Sequence, residues 1–205
     1  MIGYRRISGP ALFCFLLLFS ALTLSLTAGC LPTLTLRMRE FEIDELLLDV
    51  QAFPPGWHVS QSPRQYGEDR AAKDNRYIEF RPKNAMTHSM HIVFQYQDDS
   101  SAAYWYDEYL PAEFRSAFRL TPWETPLDLQ YQSHVADQFK FACADFEYGD
   151  VDGSSKRYTR CTAMGQYEEY VSVFFTYISR ESMTYADLER ILRAIDERMA
   201  RYLEK

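Results

Sequence analysis

Glycine is scarce in this chain, eight among 205 residues, and histidine and cysteine are scarcer still at four each. With so few glycines there is no Gly-x-Ser-x-Gly elbow and no glycine-rich phosphate loop, two arrangements that bring backbone close to a nucleophile or a phosphate. No Cys-x-x-Cys occurs, so the common redox and zinc spacings are missing. An excess of bases is missing too, because 22 Lys and Arg stand against 29 Asp and Glu. A surface of that sign repels phosphates, which excludes nucleic acid and a polybasic grip on lipid as expected partners. Charge is absent altogether between Arg6 and Arg37.

That uncharged stretch carries the chain's clearest message. Arg5 and Arg6 precede an apolar run, Ala11 to Leu26, and the small residues Thr27, Ala28 and Gly29 then lead to Cys30. The order is positive region, apolar region, small residues. "LTAGC" resembles the lipobox of bacterial lipoproteins. The resemblance implies that residues 1–29 are a signal peptide that is removed, and that Cys30 is diacylated. Residues 30–41 are then a lipid-anchored tether on the extracytoplasmic side of the cell membrane. The same run is also long enough to remain as an uncleaved N-terminal helix, since a span needs about 20 apolar residues. Either way Arg5 and Arg6 hold the N-terminus inside and the remainder outside. Without those two arginines the bases number 20 against the same 29 acids.

Cys14 belongs to the leader, which leaves Cys143 and Cys161 as an even pair in an exported, oxidising setting. "DQFKFACADFEY" and "KRYTRCTAMGQY" are strand-like and flank the turn cluster "GDVDGSS". A three-residue loop at Val151, Asp152 and Gly153 makes every cross-strand pair sum to 304. Cys143 then faces Cys161, Glu147 faces Arg157 and Phe146 faces Tyr158. A structural disulfide follows.

Residues 42–205 read as one α+β domain. "FEIDELLLDV" places Ile43, Leu46, Leu47 and Val50 at helical spacing, and "FPPGW" ends that helix. "RYIEFRP" and "THSMHIVFQYQ" alternate as strands, with His88, Met90, Ile92, Phe94 and Tyr96 on one face. A helix capped by Asp99 or Ser100 follows, with Ala103, Tyr106, Leu110, Phe114 and Phe118 as its stripe. The second half adds the disulfide hairpin and, after a turn at Gly165-Gln166, the strand "EEYVSVFFTYIS". The last helix opens on a Thr184/Asp187 capping box and buries Leu188, Ile191, Leu192, Ile195, Met199, Tyr202 and Leu203. The expected fold is therefore an antiparallel sheet covered by helices, built as two strands-then-helix halves. This order resembles small PsbP-like extracytoplasmic lipoproteins and the extracellular sensor domains of bacterial membrane kinases. "FPPGW", "FQYQDDSSAAYWY" and "MTYADLERILRAIDERM" also resemble a set of bacterial lipoproteins without assigned activity. These resemblances imply binding or assembly rather than catalysis, and they transfer no site residues.

Several residues invite sharper readings. His88 and His91 look like metal ligands, but on a strand they point to opposite faces. Asp150-x-Asp152-Gly153 is similar to a calcium loop, with its glycine two positions early. Neither leads us to expect a metal or a cofactor. Glu168-Glu169 and Asp98-Asp99 suit a turn and a helix start better than acid–base work. "AAYWYDEY" packs more aromatic surface into one helix than a single stripe can bury. Tyr104, Trp105 and Tyr109, together with Trp57 of "FPPGW", are the candidate binding surface for an apolar ligand or an envelope protein. The alternative for Trp57 is a core anchor at the start of the first strand, and for Trp105 and Tyr109 edge packing against the sheet. The expected function is a membrane-anchored ligand-binding or interaction module without catalysis of its own. The alternatives are an extracytoplasmic hydrolase with an unfamiliar site and a structural envelope component.

Overall fold

Successive residues of the segment Ser89–Gln95 point to opposite sides of a sheet, and both sides are buried. Ile92 and Phe94 pack into one apolar cluster and Val93 into another. A strand of this kind lies inside a layered domain. The computed structural model describes residues 39–67, 71–83, 87–115, 119–149, 155–178 and 182–203. The leader, Cys30, the tether up to residue 38, Phe118 and the loop at 151–153 lie outside them, as does the aspartate pair of the calcium-like turn. Glu40–Lys205 forms one compact unit. Among the described residues no helix is long and apolar enough to cross a membrane.

The elements run β1 (Trp57–Arg64), β2 (Asp74–Pro82), β3 (Ser89–Gln95), α1 (Asp99–Glu113), β4 (Gln138–Gly149), β5 (Ser155–Tyr167), β6 (Tyr170–Ile178) and α2 (Tyr185–Leu203). Six strands form one sheet in the order β1-β2-β3-β6-β5-β4, and every neighbouring pair is antiparallel. The arrangement is α+β. The two helices lie on opposite faces, however. α2 covers the face carrying Phe80, Val93, Ala163 and Phe174, whereas α1 packs on Ile92, Met164, Val171 and Val173.

The β4–β5 pairing keeps the expected register over its whole length, from Gln138 opposite Gln166 to Gly149 opposite Ser155. Cys143 and Cys161 face each other and are joined by a disulfide. Phe146 also faces Tyr158, but the charge partner is different. Arg157 pairs with Asp145, two residues along β4 from Glu147, which stands directly opposite it. A short segment borders β4 outside the sheet, through bridges Arg119–Phe146 and Glu124–Cys143.

Three local expectations are corrected. The stretch Ile43–Ala52 makes two 3-10 turns, Ile43–Leu46 and Val50–Ala52, in place of one α-helix. Leu46, Leu47 and Leu48 are all buried, and an α-helix would turn one of three consecutive residues outward. The β5–β6 turn falls at Glu168-Glu169, with Glu168 at φ 53°, and Gly165 lies within β5. Glycine is needed there for another reason: the Tyr167 ring folds back to 2.6 Å from where a Cβ would stand. Helix α1 is capped by Asp98, whose carboxylate accepts from the Ser101 N–H and the Ser100 hydroxyl, both at 2.8 Å. Its buried stripe accordingly begins at Ala102, not Ala103.

The last helix matches its reading. Thr184 and Asp187 exchange the capping-box bonds, at 3.0 and 3.2 Å, and the stripe from Leu188 to Leu203 is buried except for the half-buried Tyr202.

Candidate functional site

Helix α1 turns its aromatic residues in three directions. Tyr106 goes inward, where its hydroxyl donates to the Met164 carbonyl at 3.5 Å; burial, and then Asp107, push the phenol up to about 12. Trp105 and Tyr109 lie on the flank, half-buried, with their rings stacked at 5.3 Å. Tyr104 points out, 57% exposed, with its ring edge-on to Trp105 at 5.1 Å.

The sheet extends this surface. Trp105 stacks on Tyr96 of the segment after β3 at 6.4 Å, and Tyr109 meets Phe94 at the same distance. Phe94 in turn meets Tyr66, which follows β1, and Tyr66 meets Tyr77 of β2 edge-on at 5.6 Å. Arg64 caps the run, its guanidinium 5.7 Å from the Tyr77 ring. An unbroken line of rings therefore crosses from α1 to the β1–β2 edge, open at Tyr104 and at Tyr66, which is 42% exposed. Tyr66 was not singled out from the sequence, because a tyrosine between a strand and "GEDR" carries no periodic signal.

Trp57 does not belong to this surface. Its ring is 7% exposed, packs 5.1 Å from Phe53, and its indole N–H donates to the Ser182 carbonyl at 2.9 Å. It anchors β1 in the core on the α2 side, so the candidate surface keeps Tyr104, Trp105 and Tyr109 without it.

The histidines separate as expected of a strand. His88 is half-buried, with its ring at Phe175 and Tyr177, and burial lowers its pKa. His91 is fully buried on the opposite face, and burial with Arg198 nearby lowers it to about 3. Its Nδ1 accepts the Leu48 N–H at 3.0 Å, so the ring proton sits on Nε2 and is donated to the Ser172 hydroxyl at 2.9 Å. A histidine that donates to the serine is no base for it, and this pair acts as a bridge between the 3-10 segment and β6. His58 and His134 are exposed. Among the described residues no group of three or more His, Cys, Asp or Glu side chains is placed to hold a metal ion.

One buried cluster escaped the sequence reading. Asp196 of α2 is 6% exposed and accepts three hydroxyl hydrogen bonds, from Tyr131 at 2.6 Å, Tyr167 at 2.8 Å and Ser133 at 2.9 Å. Burial and this carboxylate raise both phenols, which stay protonated as donors. Ser133 also accepts the Val135 and Ala136 N–H groups, so the cluster ties the long connection between α1 and β4 to α2. The readable signal was an acid four residues from Leu192 and three from Met199, inside an apolar stripe. Beside it, Gly165, Tyr167, Ser172, Phe174 and Leu192 line a cavity of about 10 Å³, space for about one water.

Compared with models of protein families, with curated proteins and with solved structures, the chain matches none of them.

Proposed function

We propose that this protein is an exported, membrane-anchored binding module held on the extracytoplasmic side through a lipid on Cys30. In this reading residues 1–29 are removed, the tether sets the reach of the domain, and the ring surface of α1 meets a partner or an apolar ligand. The element order, three strands then α1 and three strands then α2, supports reading the domain as two halves joined at β3 and β6. The Cys143–Cys161 disulfide supports an oxidising address. The observation that carries the binding role is the line of contacting rings left open at Tyr104 and Tyr66. The hydrolase alternative gains nothing from His91 and Ser172, whose contact is buried and used.

The test uses the full chain in a bacterial host given an alkyne-bearing palmitate. Wild type is expected to incorporate the label and sediment with membranes, and Cys30→Ala to lose both the label and leader removal. An unlabelled wild type sinks the lipid anchor. Native mass spectrometry of the detergent-released protein then reads the binding role. A mass present natively, lost on denaturation and absent from a Tyr104→Ser, Tyr109→Ser variant is the expected result.

A further inference from the structure

The α1 side of the sheet is covered unevenly. Under the helix, Ile92 of β3 and Val171 and Val173 of β6 are buried, but farther along the same two central strands Met90, Phe175 and Tyr177 are only half-buried. The register sets them in rows. Met90, Phe175 and Thr162 lie side by side across β3, β6 and β5, and Tyr177 and Arg160 form the next row, which the His88 ring joins by its contact with Tyr177.

Two donors in this patch have nothing to donate to. The Arg160 guanidinium lies over the Phe175 ring at 4.7 Å, and its nearest ion partner, Glu113, is 3.9 Å away. Its Nε is buried without a hydrogen-bond partner, and so is the hydroxyl of Thr162, a residue with no exposed surface. Buried donors normally find an acceptor, and a charged one left without is unfavourable. Glu113 does not fill that role: it approaches only Nη2, at 3.9 Å and beyond hydrogen-bond distance, and burial raises its pKa against the pull of Arg160. The far wall is already neutralised, because Arg81 holds the buried Glu79 at 2.6 Å.

The geometry points to a binding site for a small amphipathic carboxylate. Its carboxylate accepts from Arg160 and Thr162, and its apolar body lies on Met90, Phe175 and Tyr177. A cationic head would instead meet two arginines. The patch from Met90 to Thr162 spans two strand spacings, roughly 10 Å, which suits a single ring or a chain of a few carbons. This site is separate from the rings around Tyr104 and does not depend on them.

The probe is labelled phenylacetate, measured by equilibrium dialysis against the full chain in lipid nanodiscs. Empty discs serve as the blank, and phenethylamine as the cationic counterpart. Phenylacetate is expected to bind and phenethylamine not. Arg160→Gln is expected to weaken phenylacetate about tenfold or more, the usual loss when a charged hydrogen bond is removed. Thr162→Val, which keeps the side-chain volume, is expected to weaken it several-fold without lowering Tm, and it decides the matter if Arg160→Gln fails to fold. Equal uptake of the two probes, no uptake above the blank, or full binding by Thr162→Val overturns the site. Binding lost only in Tyr104→Ser would also overturn it, while leaving the binding role of the ring surface standing.

Discussion

The two faces of the sheet are finished differently. On the α2 side a 19-residue helix with seven buried residues and the two 3-10 turns close an apolar core, and polar groups inside it are bound to one another. Asp196 takes three hydroxyls, His91 joins Leu48 to Ser172, and Ser89 meets Thr176 at 2.5 Å. On the α1 side a 15-residue helix buries only Ala102 and Tyr106, and rings cover much of the remainder. Donors of Trp123, Arg160 and Thr162 there are buried without a hydrogen-bond partner. A sheet needs only one well-covered face to hold its register, which leaves the other free to carry surface that is unfavourable for stability and useful for binding.

The sharpest way to break this comparison is to empty one side of it. Met199→Ala, at a position with no exposure on the α2 side, is expected to cost about 2–5 kcal/mol in denaturant unfolding. A loss under 1 kcal/mol would mean that the α2 face is not the stabilising one. Opening the disulfide, which also lies on that face, comes next. Its partners are 18 residues apart, and the Cys143→Ala, Cys161→Ala protein is expected to lose about 3 kcal/mol of unfolding free energy.

Acid should weaken the α2 side selectively. His91 has a folded pKa of about 3, below the ordinary 6.5, so the unfolded chain takes up a proton that the folded one refuses. The stability it contributes is whole above about pH 6.5 and is lost as pH falls toward 3, at roughly 1.4 kcal/mol per unit. Between pH 7 and pH 5 the denaturant midpoint should fall by the equivalent of about 2 kcal/mol. His91→Gln is expected to be weaker at pH 7 and to lose that extra slope; an unchanged slope would clear His91 of the effect. The smallest effect belongs to the other face. Tyr104→Ser should change stability by no more than about 0.5 kcal/mol, and a larger loss would make the exposed ring structural.

Much of the domain was legible because its signals are local. The 304 register followed from a turn cluster and three facing pairs, and α2 from its stripe and capping box. Two of the misreadings share one cause. Gly165 looked like a turn residue, but it makes room for a tyrosine whose hydroxyl reaches Asp196 on another element. Leu46 to Leu48 looked helical, but Leu48 gives its N–H to His91, 43 positions away. Of the candidate surface, Tyr104, Trp105 and Tyr109 were readable from crowding on one helix. Tyr66 was not, because its place in the line depends on Phe94 and Tyr77 from two other strands.

By itself the sequence determined the strands, the register of the disulfide hairpin and the face that α2 buries, since each is set by alternation, turn chemistry or helical spacing over a few residues. Only the tertiary structure decided that the helices take opposite faces and that Arg160 and Thr162 share a half-covered patch. Those outcomes depend on contacts between segments far apart in the chain, which no local period encodes.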